Sequence, residues 1–104
     1  MSGSVVQQVE GWYAEHSASL SRATVQLWIQ SMKPTAAEGK VAIGMETSTV
    51  LASLTFWNQG DVEVILVDKR SRGEQILDDR KLGSGDDIPS LLDGYVRRIS
   101  SLTI

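Results

Sequence analysis

The side chains that could do chemistry are few, and they do not fall into the patterns that catalysis or metal binding requires. The chain of 104 residues has no cysteine and one histidine, His16. This excludes thiol nucleophiles, thiolate metal sites and metal sites built from several histidines. A general base also needs a partnered nucleophile or acid, so we interpret His16 as a helix-terminal or partly buried side chain. We expect no enzyme activity, no metal and no cofactor.

Paired aspartates and a glycine-rich loop give two further signals, and both favour structural roles. Asp78 and Asp79 lie in a predicted strand, where neighbouring side chains point to opposite faces, so they cannot form an acid–base dyad together. Asp86 and Asp87 follow residues 83–85 (Gly-Ser-Gly) at the start of a predicted helix. Phosphate loops carry a third spaced glycine or a following Lys-Ser/Thr, and this loop has neither. We therefore predict solvated charge on the strand and an N-cap at Asp86 or Asp87.

Charge and composition restrict the class of partner. The net charge of −3 disfavours nucleic acid, and the basic tip at Lys69, Arg70 and Arg72 has no interleaved aromatic residues for stacking on bases. No apolar run approaches the roughly 20 residues of a membrane span. The first residues lack the basic and apolar regions of a secretory signal. We expect a cytoplasmic protein that binds neither nucleic acid nor membrane, and the oligomeric state stays open.

Two tryptophans lie on the polar side of their predicted strands. Successive strand side chains point to opposite faces. In residues 24–30, Trp28 alternates with aliphatic residues and shares a side with Thr24 and the glutamines. In residues 51–57, Trp57 shares a side with Ser53 and Thr55. A large aromatic side chain on a polar face is either covered by another part of the fold or used to bind a partner.

Periodicity defines the elements that position these residues. Apolar residues at helical spacing predict a first helix from Ser4 to His16 and a last helix over 88–102, where Pro89 fits only the first turn. A Ser-rich connection is expected over 17–23. Alternating runs predict five strands, at 24–32, 40–47, 50–58, 62–67 and 74–82. Their short connections favour antiparallel neighbours, so we predict a single domain over 1–104. Its fold class is α+β, a two-layer sandwich of a five-stranded meander sheet with an N-terminal and a C-terminal helix.

This architecture leaves two interpretations of the tryptophans open. The first helix, which carries Trp12 and Tyr13, could pack over Trp28 and Trp57 while the last helix covers the other face. A bulge in either strand could also turn a tryptophan into the core. Otherwise the tryptophan side of the sheet is free to bind a partner, and tryptophan is enriched at binding hot spots.

Three segments carry a resemblance to a known family. They read METSTVLASLTFWNQGDVEVILVD, GEQILDDRKL and DDIPSLLDGYVRRI. Together they resemble the TriTu-type bacterial immunity proteins, which protect the producing cell from an Rhs-class ADP-ribosyltransferase toxin that modifies the translation factor EF-Tu. The resemblance implies no catalytic residue, and it implies a cognate toxin domain as the partner, inhibited by occlusion of its active site. The alternative is a secretion adaptor, a chaperone or another small interaction module.

Candidate toxin-binding residues combine the two aromatic anchors with acidic surroundings. An acidic surface suits a toxin whose active site is basic. The candidates are Trp28, Trp57, Asp61, Glu63, Asp78, Asp79, Asp86 and Asp87.

Overall fold

The described residues form seven elements, which follow one another in the order that the sequence predicts. The computed structural model describes residues 4–22, 25–32, 39–83 and 85–101. The elements are α1 (Val5–Arg22), β1 (Gln26–Met32), β2 (Lys40–Glu46), β3 (Val50–Trp57), β4 (Asp61–Asp68), β5 (Glu74–Lys81) and α2 (Ile88–Ser101). The five strands form one sheet in chain order, and every neighbouring pair is antiparallel. The predicted α+β two-layer sandwich with a meander sheet is confirmed.

Both helices lie on the same side of the sheet. Buried residues alternate with more exposed ones along β3 and along β4 up to Val67, which is the pattern of a sheet with one covered face. α1 packs against β1, β2, β3 and α2. Apolar residues of both helices and of the covered sheet face form a single buried cluster, which includes Val6, Val9, Trp12, Val41, Ile43, Met45, Leu54, Phe56, Val62, Val64, Leu92 and Ile99.

α1 begins with reciprocal capping hydrogen bonds and ends later than predicted. The Gln7 amide donates to Ser4 Oγ at 3.2 Å, and the Ser4 amide donates to Gln7 Oε1 at 3.0 Å, which is a capping box. The helix then continues to Arg22. The prediction of a connection over 17–23 is therefore wrong for 17–22, and residue 23 lies outside the described residues. His16 consequently lies inside the helix rather than at its end.

α2 has an N-cap at its first turn and a hydrogen bond to α1 further along. Asp87 Oδ2 accepts hydrogen bonds from the backbone amide and the hydroxyl of Ser90, so Asp87 is the N-cap and Pro89 occupies the first turn, as predicted. Trp12 Nε1 of α1 donates to Asp93 Oδ1 at 2.9 Å. This bond joins the two helices on the covered side of the sheet. Leu102, the last residue of the predicted stripe, lies outside the described residues.

A bulge in β5 decides which of its side chains face the helices. Ile76 pairs with Ile65 and Asp78 pairs with Val64, so the register shifts by one residue and Leu77 is the extra residue. Leu77 packs against the core, and Asp78 lies opposite a buried valine. The bulge therefore turns Leu77 and Asp78 toward the helices and Ile76 away from them.

Candidate functional site

The open face is the side of the sheet opposite α1 and α2, and a continuous row of cross-strand partners crosses its middle. The row contains one residue from each strand, in the order Trp28, Gly44, Ser53, Ile65 and Ile76. A Cβ atom at Gly44 would lie 1.9 Å from Cε2 of Trp28. The indole ring therefore rests on the backbone of β2 at a position where only glycine leaves room for it.

α1 does not cover this face. Trp12 is buried between α1 and α2, and the Tyr13 hydroxyl donates to the carbonyl oxygen of Leu27 at 3.3 Å. Leu27 packs against the core from the covered side of β1. Trp28 is 44% exposed, and the bulge lies in β5 rather than in either tryptophan strand. The interpretation in which α1 hides the tryptophans is therefore wrong.

Exposed apolar residues are concentrated on the open face. Among the residues that the structure describes, the large hydrophobic side chains that are exposed number four, and all four lie there: Trp28, Met32, Leu51 and Ile76. A central depression of about 240 Å³ opens beside the Trp28 ring, lined by Trp28, Gln30, Ala42, Gly44, Leu51, Ser53, Ile65 and Val67. The result is an apolar recess in the middle of a polar sheet surface, which is typical of an interaction site.

Trp57 lies on the same face but at some distance from Trp28. It pairs with Lys40 of β2, whereas Trp28 pairs with Gly44, four residues further along that strand. At about 3.3 Å per residue and about 4.8 Å per strand, the two tryptophan Cα atoms are roughly 16 Å apart. Trp57 is also only partly exposed. The two side chains therefore belong to one surface without forming one cluster.

Three of the predicted acidic residues border this surface. Asp61 and Glu63 of β4 and Asp79 of β5 lie on the open face, with Glu63 directly opposite Asp79 and Asp61 opposite Lys81. Like charges placed directly opposite each other destabilise a sheet. Among the described residues, no lysine or arginine forms an ion pair with Glu63 or Asp79. The acidic edge of the open face is therefore left uncompensated at its β4–β5 side.

The other three predicted acidic residues lie apart from the open face and hold α2 and the loop before it. Asp78 accepts a hydrogen bond of 2.5 Å from the Tyr95 hydroxyl of α2. Asp86 accepts from Arg80 Nη2 at 3.0 Å and from the Gly83 amide at 2.6 Å. Asp87 caps α2. The structure thus separates the eight candidate residues into five on one surface and three in structural contacts.

Two pKa shifts report on local structure. Burial, together with the hydrogen bond to Asp78, raises the pKa of the Tyr95 phenol above its ordinary value. The backbone amide of Arg70 donates to Asp68 Oδ1 at 2.8 Å and lowers the pKa of that carboxyl group. Asp68 is the last residue of β4. It lies next to the predicted basic tip of Lys69, Arg70 and Arg72. Neither group belongs to the open face.

The chain's one histidine, His16, lies in α1 beside Trp12. His16 Nδ1 donates to the Trp12 carbonyl oxygen at 2.9 Å, and its ring stacks on the Trp12 ring with centroids 5.0 Å apart. The histidine is thus part of the packing of α1. In the described part of the chain, His, Asp and Glu side chains do not gather in groups of three or more that could hold a metal ion. Neither described helix is long and apolar enough to span a membrane.

Four important residues of the open face are missing from the sequence prediction. Met32 lies on the same side of β1 as Trp28, and Leu51 lies on the same side of β3 as Ser53. Alternation along the sequence would have been enough to predict both. Gly44 lies at a polar-side position of β2, but its contact with Trp28 depends on the strand register. Ile76 depends on the bulge in β5. Sequence spacing alone does not specify either feature.

Comparisons of the chain with models of protein families, with curated proteins and with solved structures find no match.

Proposed function

We propose that this chain is an immunity protein that binds and neutralises a cognate antibacterial toxin through its open face. The observation that carries the proposal is the Trp28 ring, which is held on Gly44 and exposed beside an apolar depression while both helices pack on the other side. Tryptophan side chains fixed in this way are frequent anchors of protein interfaces. The resemblance to TriTu-type immunity proteins supports a toxin as the partner, with an ADP-ribosyltransferase as the expected class.

The size of the open face fits a protein partner. Five strands of seven or eight residues give a surface of about 20 by 25 Å, or roughly 500 Å². A stable protein interface buries about 800 Å² on each partner. The face would supply most of that area, and the surrounding turns would supply the remainder. Inhibition by occlusion then requires only that the toxin's active site lies beneath this contact.

Co-expression with the protein encoded directly upstream, where we expect the toxin domain, tests the proposal. The wild-type chain should co-purify with that domain and protect cells from it, and Trp28→Ala should weaken both effects. Leu91→Ala is the matched control, because it shortens a half-buried apolar side chain of α2 on the covered side. Thermal denaturation of each variant separates loss of binding from loss of folding.

The possible outcomes distinguish the candidate functions. Binding with protection that depends on Trp28 supports an immunity protein acting through the open face. Binding without protection would indicate a secretion adaptor or chaperone instead. Absence of both binding and protection would refute the proposed function. Equal loss in Trp28→Ala and Leu91→Ala, with both variants folded, would refute the open face as the binding surface.

A further inference from the structure

We propose that the toxin surface bound by the open face is basic, with an apolar side chain in the central depression and a lysine or arginine between Glu63 and Asp79. This inference rests on the proposed function and adds the chemistry of the partner. It is drawn from three features of the open face: the lining of the depression, the like-charged pair beside it and the charge balance of the whole face.

The central depression is suited to an apolar side chain. Its walls are largely the Trp28 ring and the aliphatic side chains of Leu51, Ile65 and Val67. Its volume of about 240 Å³ is large enough to hold several waters. Waters against such walls find few hydrogen-bond partners, so an apolar group that displaces them gains affinity.

Glu63 and Asp79 provide a position for a cation beside the depression. They lie directly opposite each other on β4 and β5, and Glu63 is two residues from Ile65 on the same face. Each carboxylate lies in the field of the other, and in the described part of the chain neither has an ion-pair partner. A lysine or arginine of the partner would relieve this repulsion and form charge-assisted hydrogen bonds.

The charge balance of the open face disfavours a second copy of this chain as the occupant. A twofold dimer would place the face against itself, and like charges brought together at an interface are unfavourable. Five acidic side chains stand against two basic ones on the strand positions of this face: Glu46, Asp61, Glu63, Glu74 and Asp79 against Lys40 and Lys81. Lys69 pairs with Glu46 at 2.6 Å, so the uncompensated charge lies toward β4 and β5. A basic partner is complementary to that distribution.

Binding kinetics of the full chain with the upstream toxin domain test the inference. The variants are Glu63→Gln/Asp79→Asn, Trp28→Ala and, as a control that removes one acidic charge elsewhere, Glu15→Gln on the exposed side of α1. We expect the double variant to bind at least about tenfold more weakly at low salt, mainly through slower association, and to depend less on ionic strength. Glu15→Gln should stay within about twofold of wild type, since its charge lies on the other side of the sheet.

Thermal denaturation of the same variants gives a readout that needs no toxin. Removing either charge of a repelling pair should leave the midpoint unchanged or raise it, so Glu63→Gln and Asp79→Asn should be at least as stable as wild type. A clear loss of stability in both would contradict the repulsion on which the cation position depends.

The binding outcomes distinguish failure of the proposed function from failure of the inference alone. If wild type does not bind the toxin domain, the proposed function fails and the inference fails with it. If Trp28→Ala weakens binding while Glu63→Gln/Asp79→Asn binds like wild type, the proposed function stands and the basic partner is refuted. Sedimentation should find a monomer. A dimer that Trp28→Ala dissociates and the double charge variant strengthens would show that a second copy is the occupant and would overturn the inference.

Discussion

Substitution of Gly44 by alanine changes the position of Trp28 without removing it. The new Cβ atom would lie 1.9 Å from Cε2 of the indole, far inside van der Waals contact, so the ring must move. Because Trp28 is 44% exposed, it has room to lift away from the sheet. We expect Gly44→Ala to fold, to lose part of the contact between the ring and the sheet, and to bind the toxin domain more weakly.

The expected loss of stability follows from the area beneath the ring. A tryptophan buries about 150–250 Å² when fully enclosed, and somewhat more than half of Trp28 is hidden, which gives roughly 100 Å² against the sheet. At about 25 cal/mol per Å² this contact contributes at most about 2.5 kcal/mol. If lifting the ring exposes half of that area, about 1.2 kcal/mol is lost. Alanine in place of glycine within a strand restores about 0.5–1 kcal/mol.

Gly44→Ala should therefore lower the free energy of unfolding by a few tenths of a kcal/mol to about 0.7 kcal/mol. The same substitution at a glycine with no neighbouring side chain should raise the free energy of unfolding. A Cβ atom added at Gly11, on the exposed side of α1, would meet nothing within 4 Å. Gly11→Ala should therefore gain about 0.5–1 kcal/mol from helix propensity. Urea denaturation of both variants beside wild type, with near-ultraviolet circular dichroism of the indoles, measures the difference in sign.

A Gly44→Ala variant as stabilised as Gly11→Ala, with unchanged indole spectra and unchanged toxin binding, would refute the contact between Trp28 and β2. It would also remove the main reason for regarding Trp28 as a fixed anchor.

Further substitutions separate structural residues from binding residues. Asp87→Ala removes the N-cap of α2 and should lower the free energy of unfolding by about 1 kcal/mol without changing toxin affinity; a loss of affinity in the folded variant would place Asp87 in the interface. Because the pKa of Tyr95 is raised in the folded chain, its contribution to stability is complete below about pH 10, the ordinary tyrosine pKa, and is lost as the pH rises further. The free energy of unfolding, measured by urea denaturation between pH 8 and 11, should therefore fall less steeply with pH for Tyr95→Phe than for wild type. Parallel curves for the two proteins would contradict this assignment. Arg72 has a φ of 59°, a left-handed backbone conformation that glycine adopts more easily than arginine. Arg72→Gly should therefore raise the free energy of unfolding by up to about 1 kcal/mol in the same assay. A lower free energy of unfolding would mean that the arginine side chain contributes more stability than its backbone conformation costs.

Much of the fold could be predicted because it follows from the helical and strand periodicity of the apolar residues and from the short connections between strands. The alternation in β3 and β4 identified the covered face, and connections too short for crossovers required antiparallel neighbours. The end of α1 could not be read in the same way. Residues 17–22 are Ser-rich but contain no glycine or proline that would end the helix, and serine is only moderately unfavourable inside one. Composition indicated a connection where the backbone continues as helix.

The candidate site was predicted in part. The alternation of side chains along a strand shows which residues share one side of the sheet, but it does not show whether a helix covers that side. Alternation placed Trp28 and Trp57 on one side of the sheet, and the structure places them there. Only the packing of α1 and α2 decides that this side is open. Asp78 could not be separated from the binding surface by sequence, because the extra residue in β5 turns it toward Tyr95. The same bulge places Ile76 beside Ile65 on the open face.

The most direct test of the open face is the response of the three indole groups to the toxin domain. The chain's three tryptophans give three indole N–H signals in a ¹⁵N-labelled sample. Trp12 donates to Asp93 between the helices and serves as an internal control, whereas Trp28 lies on the open face. On titration with the toxin domain, the Trp28 signal and the backbone amides of Gly44, Ser53 and Ile65 should shift while the Trp12 signal stays in place. A complex in which Trp12 and the amides of α1 and α2 shift while Trp28 does not would contradict the account.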